Sequence, residues 1–287
     1  MFWQQVINGL VIGLVYGLLA LGLSLAYSTT RVVNFAHGEL FTTGAVFGLL
    51  CQRWVTTSFA WTAILVPLLV CVLATSFAYL LLGRLRTSLD RSVATIALGI
   101  LLRDAMLLGF GSDSESYDPV YPEGALTFGG VSVPESSLVI AAITLLLLIA
   151  FAGLVRCTRW GIWMRATAQD ECLAALSGIA TRRFGALAVG IGVGLAALAG
   201  VLIGPTWQVN YATGGTVGLK AFTAALVGGF GNLPGALLGG LLLGMLEAML
   251  ASYVSSTWKD LAVYSSLLLV LVFFPNGIMA AHKSRVG

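Results

Sequence analysis

The sequence has few charged residues and few of the side chains on which enzymes depend. Only 9% of its 287 residues are Asp, Glu, Lys or Arg, and it contains two histidines and four cysteines. The cysteines lack the C-x-x-C spacing of a metal site. The G-x-x-x-x-G-K-[ST], H-E-x-x-H and G-x-S-x-G patterns are also missing. These absences exclude a P-loop ATPase and argue against zinc or nucleophilic catalysis.

Hydrophobic residues dominate instead. They make up 58% of the chain, and the mean hydropathy is +0.96. Long apolar runs such as 138–155 and 261–274 are typical of membrane helices, because backbone polar groups in lipid must be satisfied within the segment. We therefore predict one all-α domain over residues 1–287, a polytopic membrane bundle of about eight or nine transmembrane or re-entrant helices with a cytoplasmic coupling helix.

Nine apolar segments can be distinguished, at 5–27, 35–50, 61–82, 93–110, 138–155, 185–204, 219–230, 235–253 and 261–274. A full crossing requires about 20 apolar residues. The segments 35–50 and 219–230 are shorter, so we expect each to be tilted, broken or re-entrant. Nine crossings fit the charge pattern, and eight remain possible if one short element is re-entrant.

The cationic residues are sorted between the two sides of this bundle. Eleven of the fifteen Lys and Arg fall on one side: Arg31, Arg84, Arg86, Arg91, Arg156, Arg159, Arg165, Arg182, Arg183, Lys283 and Arg285. Cationic loops stay cytoplasmic. The pattern predicts a multi-pass protein of a bacterial inner membrane with an external N-terminus, a cytoplasmic C-terminus and a cytoplasmic loop at 156–184. The loop 111–137, with five acids and no Lys or Arg, is predicted to be periplasmic.

The net charge of +3 resides in these loops and does not indicate a nucleic-acid partner. Many of the 35 glycines lie four residues apart, as in 9–17 and 231–244. Small residues at this spacing let helices pack closely in lipid, and they favour static packing over motion. The sequence shows no convincing internal repeat.

A first group of candidate functional residues lies in the stretch V-N-F-A-H-G-E at 33–39. Asn34 is a suitable N-cap for a helix that begins at Phe35. His37 and Glu39 then lie near the cytoplasmic end of the second span, where ionisable side chains suggest a gate or pathway. A capping and packing role at the helix N-terminus is an equally good interpretation.

A second group consists of charged residues inside apolar segments. Arg103 and Asp104 lie in the fourth span, and Glu247 lies in the eighth. Each could line an aqueous path, but we favour structural ion pairs. Lys220 is a possible partner of Glu247, or it extends its ammonium group to the interface.

A third group lies in the cytoplasmic segment 165–179, which we predict to be a short amphipathic helix that ends at Gly178. Leu173, Leu176 and Ile179 recur at intervals of three. We interpret it as a docking surface for another protein, in preference to an ordinary surface loop. The residues that would couple this chain to its partner are Arg165, Asp170, Glu171, Ala174, Ala175 and Gly178.

Taken together, these motifs resemble the LivH-type permeases of branched-chain amino acid ABC importers. The resemblance lies in N-G-L and Y-G-L-L-A-L-G-L-S-L near the start, V-N-F-A-H-G-E, A-L-V-G-G-F-G-N-L-P-G-A at 225–236, F-F-P-N-G-I at 273–278 and the segment 170–179. It covers nearly the whole chain. One departure is that Glu171 is separated from Ala174-Ala175, where the family's docking loop has Glu-Ala-Ala.

The resemblance implies a transport subunit that is not itself an enzyme. Its partners would be a LivM-like second permease, two cytosolic LivG/LivF-like ATPases, a periplasmic binding protein and membrane lipid. ATP and Mg²⁺ would be bound by the ATPases, and no cofactor by this chain. Permeases for urea and short amides look very similar, so the substrate is open between these and a branched-chain amino acid.

Three alternatives of other classes remain. An intramembrane enzyme would need a nucleophile–base pair, which we do not find in the sequence. An ion-coupled secondary transporter should carry midplane carboxylates and inverted repeats, and Glu39, Asp104 and Glu247 are only a thin supply. A purely structural membrane subunit would not require a docking segment. Asn34, His37 and Glu39 are therefore expected to belong to a gate that the docking segment operates.

Overall fold

A computed structural model of the protein describes residues 2–55, 58–85, 87–112, 114, 117, 120–121, 124–128, 131–254, 258–274 and 277–279. Within these ranges the chain forms eleven α-helices and one hairpin. They are α1 (Phe2–Thr30), α2 (His37–Trp54), α3 (Phe59–Leu80), α4 (Ser88–Phe110), β1 (Ala125–Phe128), β2 (Val131–Pro134), α5 (Glu135–Cys157), α6 (Arg159–Gln169), α7 (Glu171–Leu176), α8 (Thr181–Ile203), α9 (Thr213–Gly228), α10 (Leu233–Tyr253) and α11 (Lys259–Phe273).

Six of the described helices are long and apolar enough to cross a membrane: α1, α3, α4, α5, α8 and α10. The helical membrane bundle predicted from the composition is therefore confirmed. Helices α2, α9 and α11 have 18, 16 and 15 residues. All nine predicted apolar segments coincide with these nine helices, although α9 begins earlier in the chain than predicted.

Glycines bring the inner helices into close contact. A Cβ atom on Gly22 of α1 would lie 2.5 Å from the carbonyl oxygen of Gly192 in α8. A Cβ on Gly13 of α1 would lie 2.8 Å from the Cα of Leu241 in α10. Neither position can accept a side chain without moving a backbone, so these glycines set the separation of α1 from its two neighbours.

Burial divides the bundle into an inner and an outer set of helices. In their most apolar stretches, 72% of α8 and 61% of α1 is buried, against 17% of α3 and of α4. The outer helices expose Leu, Ile and Val side chains, as expected of surfaces that face lipid or another membrane protein.

The two ends of the bundle differ in charge. Arg31, Arg91 and Arg182 lie at one end, which we call the arginine-rich face, near the cavity that also contains Glu171. Of the cationic residues predicted for this side, Arg86, Lys283 and Arg285 lie outside the described residues. So do four acids of the opposite loop, Asp113, Glu115, Asp118 and Glu123, and the Pro-Asn pair of the F-F-P-N-G-I motif.

The opposite face carries a β-hairpin that the sequence analysis did not anticipate. Strands β1 and β2 pair antiparallel, with Ala125 opposite Pro134. The side-chain amide of Gln4 in α1 binds the hairpin through both its polar atoms: Oε1 accepts from Ser132 N at 2.9 Å, and Nε2 donates to Ser132 O at 2.7 Å. Burial raises the pKa of the Tyr121 hydroxyl, which donates to the carbonyl oxygen of Leu202 at 2.7 Å.

Two helices begin in the interior of the bundle. His37, the first residue of α2, contacts the carbonyl oxygen of Leu19 in α1, about 16 Å from the Thr30 end of α1 at roughly 1.5 Å per residue. Residues 31–36 therefore turn back into the bundle from the arginine-rich face, and we call them the first strap. Residues 204–212, the second strap, return from the opposite face to the start of α9. Segments 35–50 and 219–230 were expected to be tilted, broken or re-entrant. In the structure they correspond to α2 and α9, two short helices that begin inside the bundle and that we call the half-helices.

The straps disclose an internal repeat that the sequence analysis failed to recognise. Residues 33–38 read V-N-F-A-H-G and residues 209–214 read V-N-Y-A-T-G. Both motifs precede a half-helix, and the preceding helices α1 and α8 are antiparallel, because Gly22 faces Gly192 while Gly185 faces Thr30. The final glycines of the two motifs face each other. Helices α1–α4 and α8–α11 thus form two halves of opposite orientation about an axis near Gly38 and Gly214.

Candidate functional site

The first strap places Asn34 differently from the prediction. Helix α2 begins at His37, two residues later than expected, and its N-cap position is Ala36. Asn34 caps the preceding turn: its Oδ1 accepts from Ala36 N at 3.1 Å, and its main-chain oxygen accepts from His37 N at 3.3 Å. The prediction that Asn34 caps a helix from Phe35 is therefore wrong, since the side chain stabilises the strap itself.

The second strap repeats this arrangement. Asn210 Oδ1 accepts from Ala212 N at 3.0 Å, and its main-chain oxygen accepts from Thr213 N at 3.2 Å. An asparagine side chain can satisfy backbone donors where no helix or sheet can. The same residue type at the same position of both straps is what brings two helix N-termini into the interior.

His37 was predicted to lie near the cytoplasmic end of the second span. This prediction is wrong, because the residue lies deep in the bundle. Its side chain is 3% exposed, and Nε2 lies 3.1 Å from Leu19 O. No described residue makes a hydrogen bond to Nδ1. His37 therefore fixes the start of α2 to the middle of α1 with one ring nitrogen, and the other faces the interior.

Glu39 lies where the two half-helices meet. A Cβ on Gly214 would lie 2.5 Å from Glu39 Oε2 and 2.8 Å from Thr42 Oγ1, so the carboxylate contacts the first turn of α9. Oε2 has no hydrogen-bond partner among the residues described. Glu39 belongs to the first turn of α2 and lies against the first turn of α9, and the N-terminus of a helix carries a partial positive charge.

Arg103 and Asp104 do not form the structural ion pairs that we favoured. Both side chains are exposed on α4, and no ion pair joins either to another described residue. The Arg103 guanidinium lies 5.6 Å from the ring centroid of Tyr211 in the second strap, within cation–π range. Arg103 thus connects α4 of one half to the strap of the other, while Asp104 faces outward.

Glu247 has the partner suggested for it. Its Oε1 lies 2.6 Å from Lys220 Nζ, and its Oε2 accepts from the Tyr16 hydroxyl at 2.9 Å. Lys220 Nζ also lies 2.9 Å from Asp260 Oδ1. Lys259 approaches Glu247 at 3.7 Å. These groups join α1, α9, α10 and α11, so Glu247 is paired with other residues of the protein and does not line an open path.

The predicted amphipathic helix at 165–179 is two helices. Asp170 has extended backbone angles (φ −151°, ψ 111°) and separates α6 from α7. Its Oδ1 accepts from Cys172 N at 2.8 Å and from Leu173 N at 3.0 Å. Asp170 is therefore the N-cap of α7, which breaks the single helix expected from the leucine spacing.

The end of α7 agrees with the prediction. Gly178 has a positive φ of 85°, and Ile179 N donates to Ala174 O at 3.1 Å, the pattern of a glycine C-cap. Ala174 is buried against the bundle, whereas Leu173 and Leu176 are 62% and 80% exposed. Helix α7 thus presents two leucines away from the bundle on the arginine-rich face. Ala175 is exposed next to them.

Two arginines hold this segment in place. Arg165 Nη1 donates to Val155 O at 2.7 Å, which fastens α6 to the end of α5. Arg31, the first residue of the first strap, donates from Nη2 to Ala168 O at 2.5 Å. The segment that carries the exposed leucines is therefore bonded directly to the strap that leads to His37 and Glu39. No group of three His, Cys, Asp or Glu in the described ranges could hold a metal ion.

Comparison with known proteins identifies the kind of protein to which these features belong. Residues 5–274 match the family described as "Branched-chain amino acid transport system / permease component". The chain belongs to this permease family.

Curated relatives agree along nearly the whole length. The permease is 33% identical over 97% of its length to the high-affinity branched-chain amino acid transport system permease protein LivH of Salmonella typhimurium, of which 95% is covered. It is also 33% identical over 97% of its length to BraD of Pseudomonas aeruginosa, with 95% of that protein covered. A probable LivH of Methanocaldococcus jannaschii is 28% identical, over 92% of the permease and 86% of that protein.

One solved structure, "PsaBC from Streptococcus pneumoniae in complex with Fab", is similar to the permease at 16% identity and a TM-score of 0.47 over 95% of this chain and 91% of that one.

Sequence reasoning missed several residues of the site. The second strap was overlooked although its motif can be read beside the first. Arg31, Tyr16 and Asp260 gave no local signal, because their partners are distant in the chain.

Proposed function

We propose that this permease is the transmembrane subunit of an ATP-driven importer for branched-chain amino acids. The observation that carries the proposal is the 33% identity over 97% of the chain to permeases named for that transport. Its partners would be a second, LivM-like permease, two LivG/LivF-like ATPases that bind ATP and Mg²⁺, and a periplasmic binding protein. The chain itself would bind no cofactor.

The orientation follows from the charges. The arginine-rich face would lie in the cytoplasm, and the hairpin face in the periplasm of a bacterial inner membrane. The C-terminus would be cytoplasmic, because α11 follows α10 back towards the arginine-rich side.

Helix α7 is the surface on which an ATPase would dock. Leu173 and Leu176 are largely exposed, so they contribute little to the packing of the bundle. Asp170 and Gly178 cap the two ends of the helix. A short capped helix with one buried alanine and two exposed leucines is a rigid apolar projection, suited to bind in a groove of another protein. Ala175 is exposed beside these leucines, whereas Glu171, the first residue of α7, lies on the other side of the helix.

The route from α7 to the interior is short. Arg31 is the one described non-glycine residue with a positive φ, at 54°, a conformation that a side chain adopts only at a cost. Its bond to Ala168 O ties the strap to α6. Movement of α6 and α7 would therefore displace the first strap, and with it the contact of Glu39 with α9. A nucleotide bound to the partner shifts this equilibrium only through such differential contacts.

A substitution at Gly178 tests the role of α7. Gly178→Ala should uncouple ATP hydrolysis from uptake in the assembled complex, because φ of 85° is unfavourable for alanine and the cap would rearrange. No atom lies within 4 Å of the added Cβ, so packing is not disturbed.

Gly153→Ala in α5 is the matched control, since a Cβ there also meets nothing within 4 Å and φ is not positive. The measurement is the ratio of leucine taken up to ATP hydrolysed in proteoliposomes. An unchanged ratio in Gly178→Ala would contradict the assignment of α7.

A secondary transporter of the same architecture remains testable, because the inverted halves and buried carboxylates found here are features of that class. Uptake by this chain alone, driven by an ion gradient, would favour it. ATP-driven uptake of urea instead of leucine by the assembled complex would favour the short-amide alternative.

A further inference from the structure

A cavity on the arginine-rich face contains charges of both signs that do not pair with each other. Its volume is about 260 Å³, and its lining includes Arg91 of α4, Arg182 of α8 and Glu171 of α7. Among the described residues, the two guanidinium groups donate to main-chain oxygens alone, Arg91 to Leu85 O and Arg182 to Tyr79 O, at 3.1 Å each. No ion pair joins Glu171 to any described residue.

The orientation of Glu171 separates it from the docking surface. On a helix that turns 100° per residue, position 171 lies roughly opposite positions 173 and 176. All three side chains are exposed, but only Glu171 also lines the cavity. A partner bound to the leucines would therefore leave the Glu171 carboxylate facing the arginines.

The remaining walls suit an aliphatic group. Val32, Ala186 and Val189 line the cavity beside the hydroxyl groups of Thr29 and Thr95. At Asn34, Thr95 and Val189 it adjoins a second cavity of about 270 Å³ whose lining is mostly apolar, including Leu40, Phe77 and Leu98. Pockets for drug-sized ligands begin at roughly 300 Å³. A single amino acid is smaller than such a ligand, so the first cavity, at about 260 Å³, is large enough for one.

We propose that this cavity is a regulatory site for a zwitterionic α-amino acid with an aliphatic side chain, which binds from the arginine-rich side and slows transport. The carboxylate would be bound by Arg91 and Arg182, the ammonium group by Glu171, and the side chain by the valines. The class of ligand rests on the proposed function: it is the transported product, accumulated on the side where the cavity opens.

The site would act on the coupling segment directly. A ligand that bridges Glu171 on α7 and Arg182 on α8 stabilises the arrangement in which the two are close together. In the proposed function α6 and α7 move together with the first strap, so α7 moves relative to α8. A ligand with higher affinity for one arrangement of α7 and α8 then slows the cycle. The effect is feedback inhibition by internal substrate.

The test uses the assembled complex in proteoliposomes with ATP and a varied concentration of leucine inside and binding protein and labelled leucine outside. We expect internal leucine to lower the initial rate of uptake. In Arg182→Gln and Arg91→Gln, the half-inhibitory concentration should rise about tenfold or more, since each loses a charged hydrogen bond to the ligand, while uptake into leucine-free vesicles is retained.

Arg183→Gln is the matched control, because Arg183 is exposed beside Arg182 but does not line the cavity. It should be inhibited like the native complex. Internal 4-methylpentanoate, which has no ammonium group, and 3-methylbutylamine, which has no carboxylate, should not inhibit. Equal inhibition of the native complex and both arginine variants, or intact uptake without inhibition, would overturn the proposal.

A binding measurement tests the proposed cavity site independently of the proposed transport function. Complete lack of ATP-driven leucine uptake would count against the importer, not the cavity. In that case, equilibrium binding of labelled leucine to the complex without ATP or binding protein decides: weaker binding by Arg182→Gln supports the site, and equal binding overturns it. Phosphatidylethanolamine headgroups also carry both charges, so bilayers with and without this lipid distinguish a lipid from a free amino acid as occupant.

Discussion

Two buried carboxylates, Glu39 and Glu247, have opposite surroundings. Glu247 is bonded to Lys220 at 2.6 Å and to the Tyr16 hydroxyl at 2.9 Å, with Lys259 at 3.7 Å. Glu39 is similarly buried but makes no ion pair with a described residue, and its Oε2 lies against the first turn of α9. Both acids were candidates for a gate on sequence grounds, and the structure separates them.

The difference shows which acid is fixed and which can change partner. Removing one member of a buried ion pair leaves an uncompensated charge and is strongly destabilising, so the contacts of Glu247 hold α9, α10 and α11 in one arrangement. Glu39 lies beside the first turns of α2 and α9, whose partial positive charges would stabilise it less or more if either half-helix moved. We therefore expect Glu247 to contribute to stability and propose that Glu39 belongs to the gate.

Lys220→Met should give the largest effect in this comparison. It leaves Glu247 without its closest cation and should cost about 3–5 kcal/mol in the free energy of unfolding. Lys259→Met is the control, because that ammonium is 3.7 Å from Glu247 and its side chain is 36% exposed. Unfolding in mixed micelles measures both. Equal stability of the two variants would show that Glu247 does not depend on Lys220.

Gly214→Ala should have the next largest effect. The added Cβ would lie 2.5 Å from Glu39 Oε2 and 2.7 Å from Gly38 O, which forces the half-helices apart at a cost of about 1–3 kcal/mol. At Gly215 the nearest atom is Glu39 Oε1 at 3.7 Å, so Gly215→Ala should be tolerated. If both variants unfold at the same denaturant concentration, the close contact of the half-helices is not present in solution.

Glu39→Gln should change stability least. The amide leaves no cation unpaired, so the free energy of unfolding should change by less than about 1 kcal/mol. Uptake should nevertheless fall by about tenfold, a magnitude within the usual range of coupling between two sites. Glu247→Gln is the matched variant, and we expect it to lower the free energy of unfolding more than Glu39→Gln does. Normal coupled uptake by Glu39→Gln would remove this residue from the gate.

The sequence predicted the parts of this molecule that depend on local pattern. Hydrophobic length located the helices, and Gly178 marked the end of α7, because a C-cap needs a residue that tolerates a positive φ. Asp170 was present in the sequence as a potential N-cap, but the regular spacing of the leucines suggested one helix.

What could not be predicted depends on contacts distant in the chain. The depth of His37 follows from its bond to Leu19, and the surroundings of Glu39 follow from a strap about 170 residues further on, beyond the reach of local pattern. The repeat of V-N-F-A-H-G in V-N-Y-A-T-G was readable in principle. Only the antiparallel packing of α1 on α8 showed why two such motifs should occur.

The proposal of ATP-driven import is tested most directly by uptake of labelled leucine into proteoliposomes. The vesicles contain this permease with its second permease and two ATPases, and binding protein is present outside. We predict accumulation that requires internal ATP and this subunit together. Accumulation driven by an ion gradient in vesicles that contain this chain alone, without ATP or the other subunits, would contradict it.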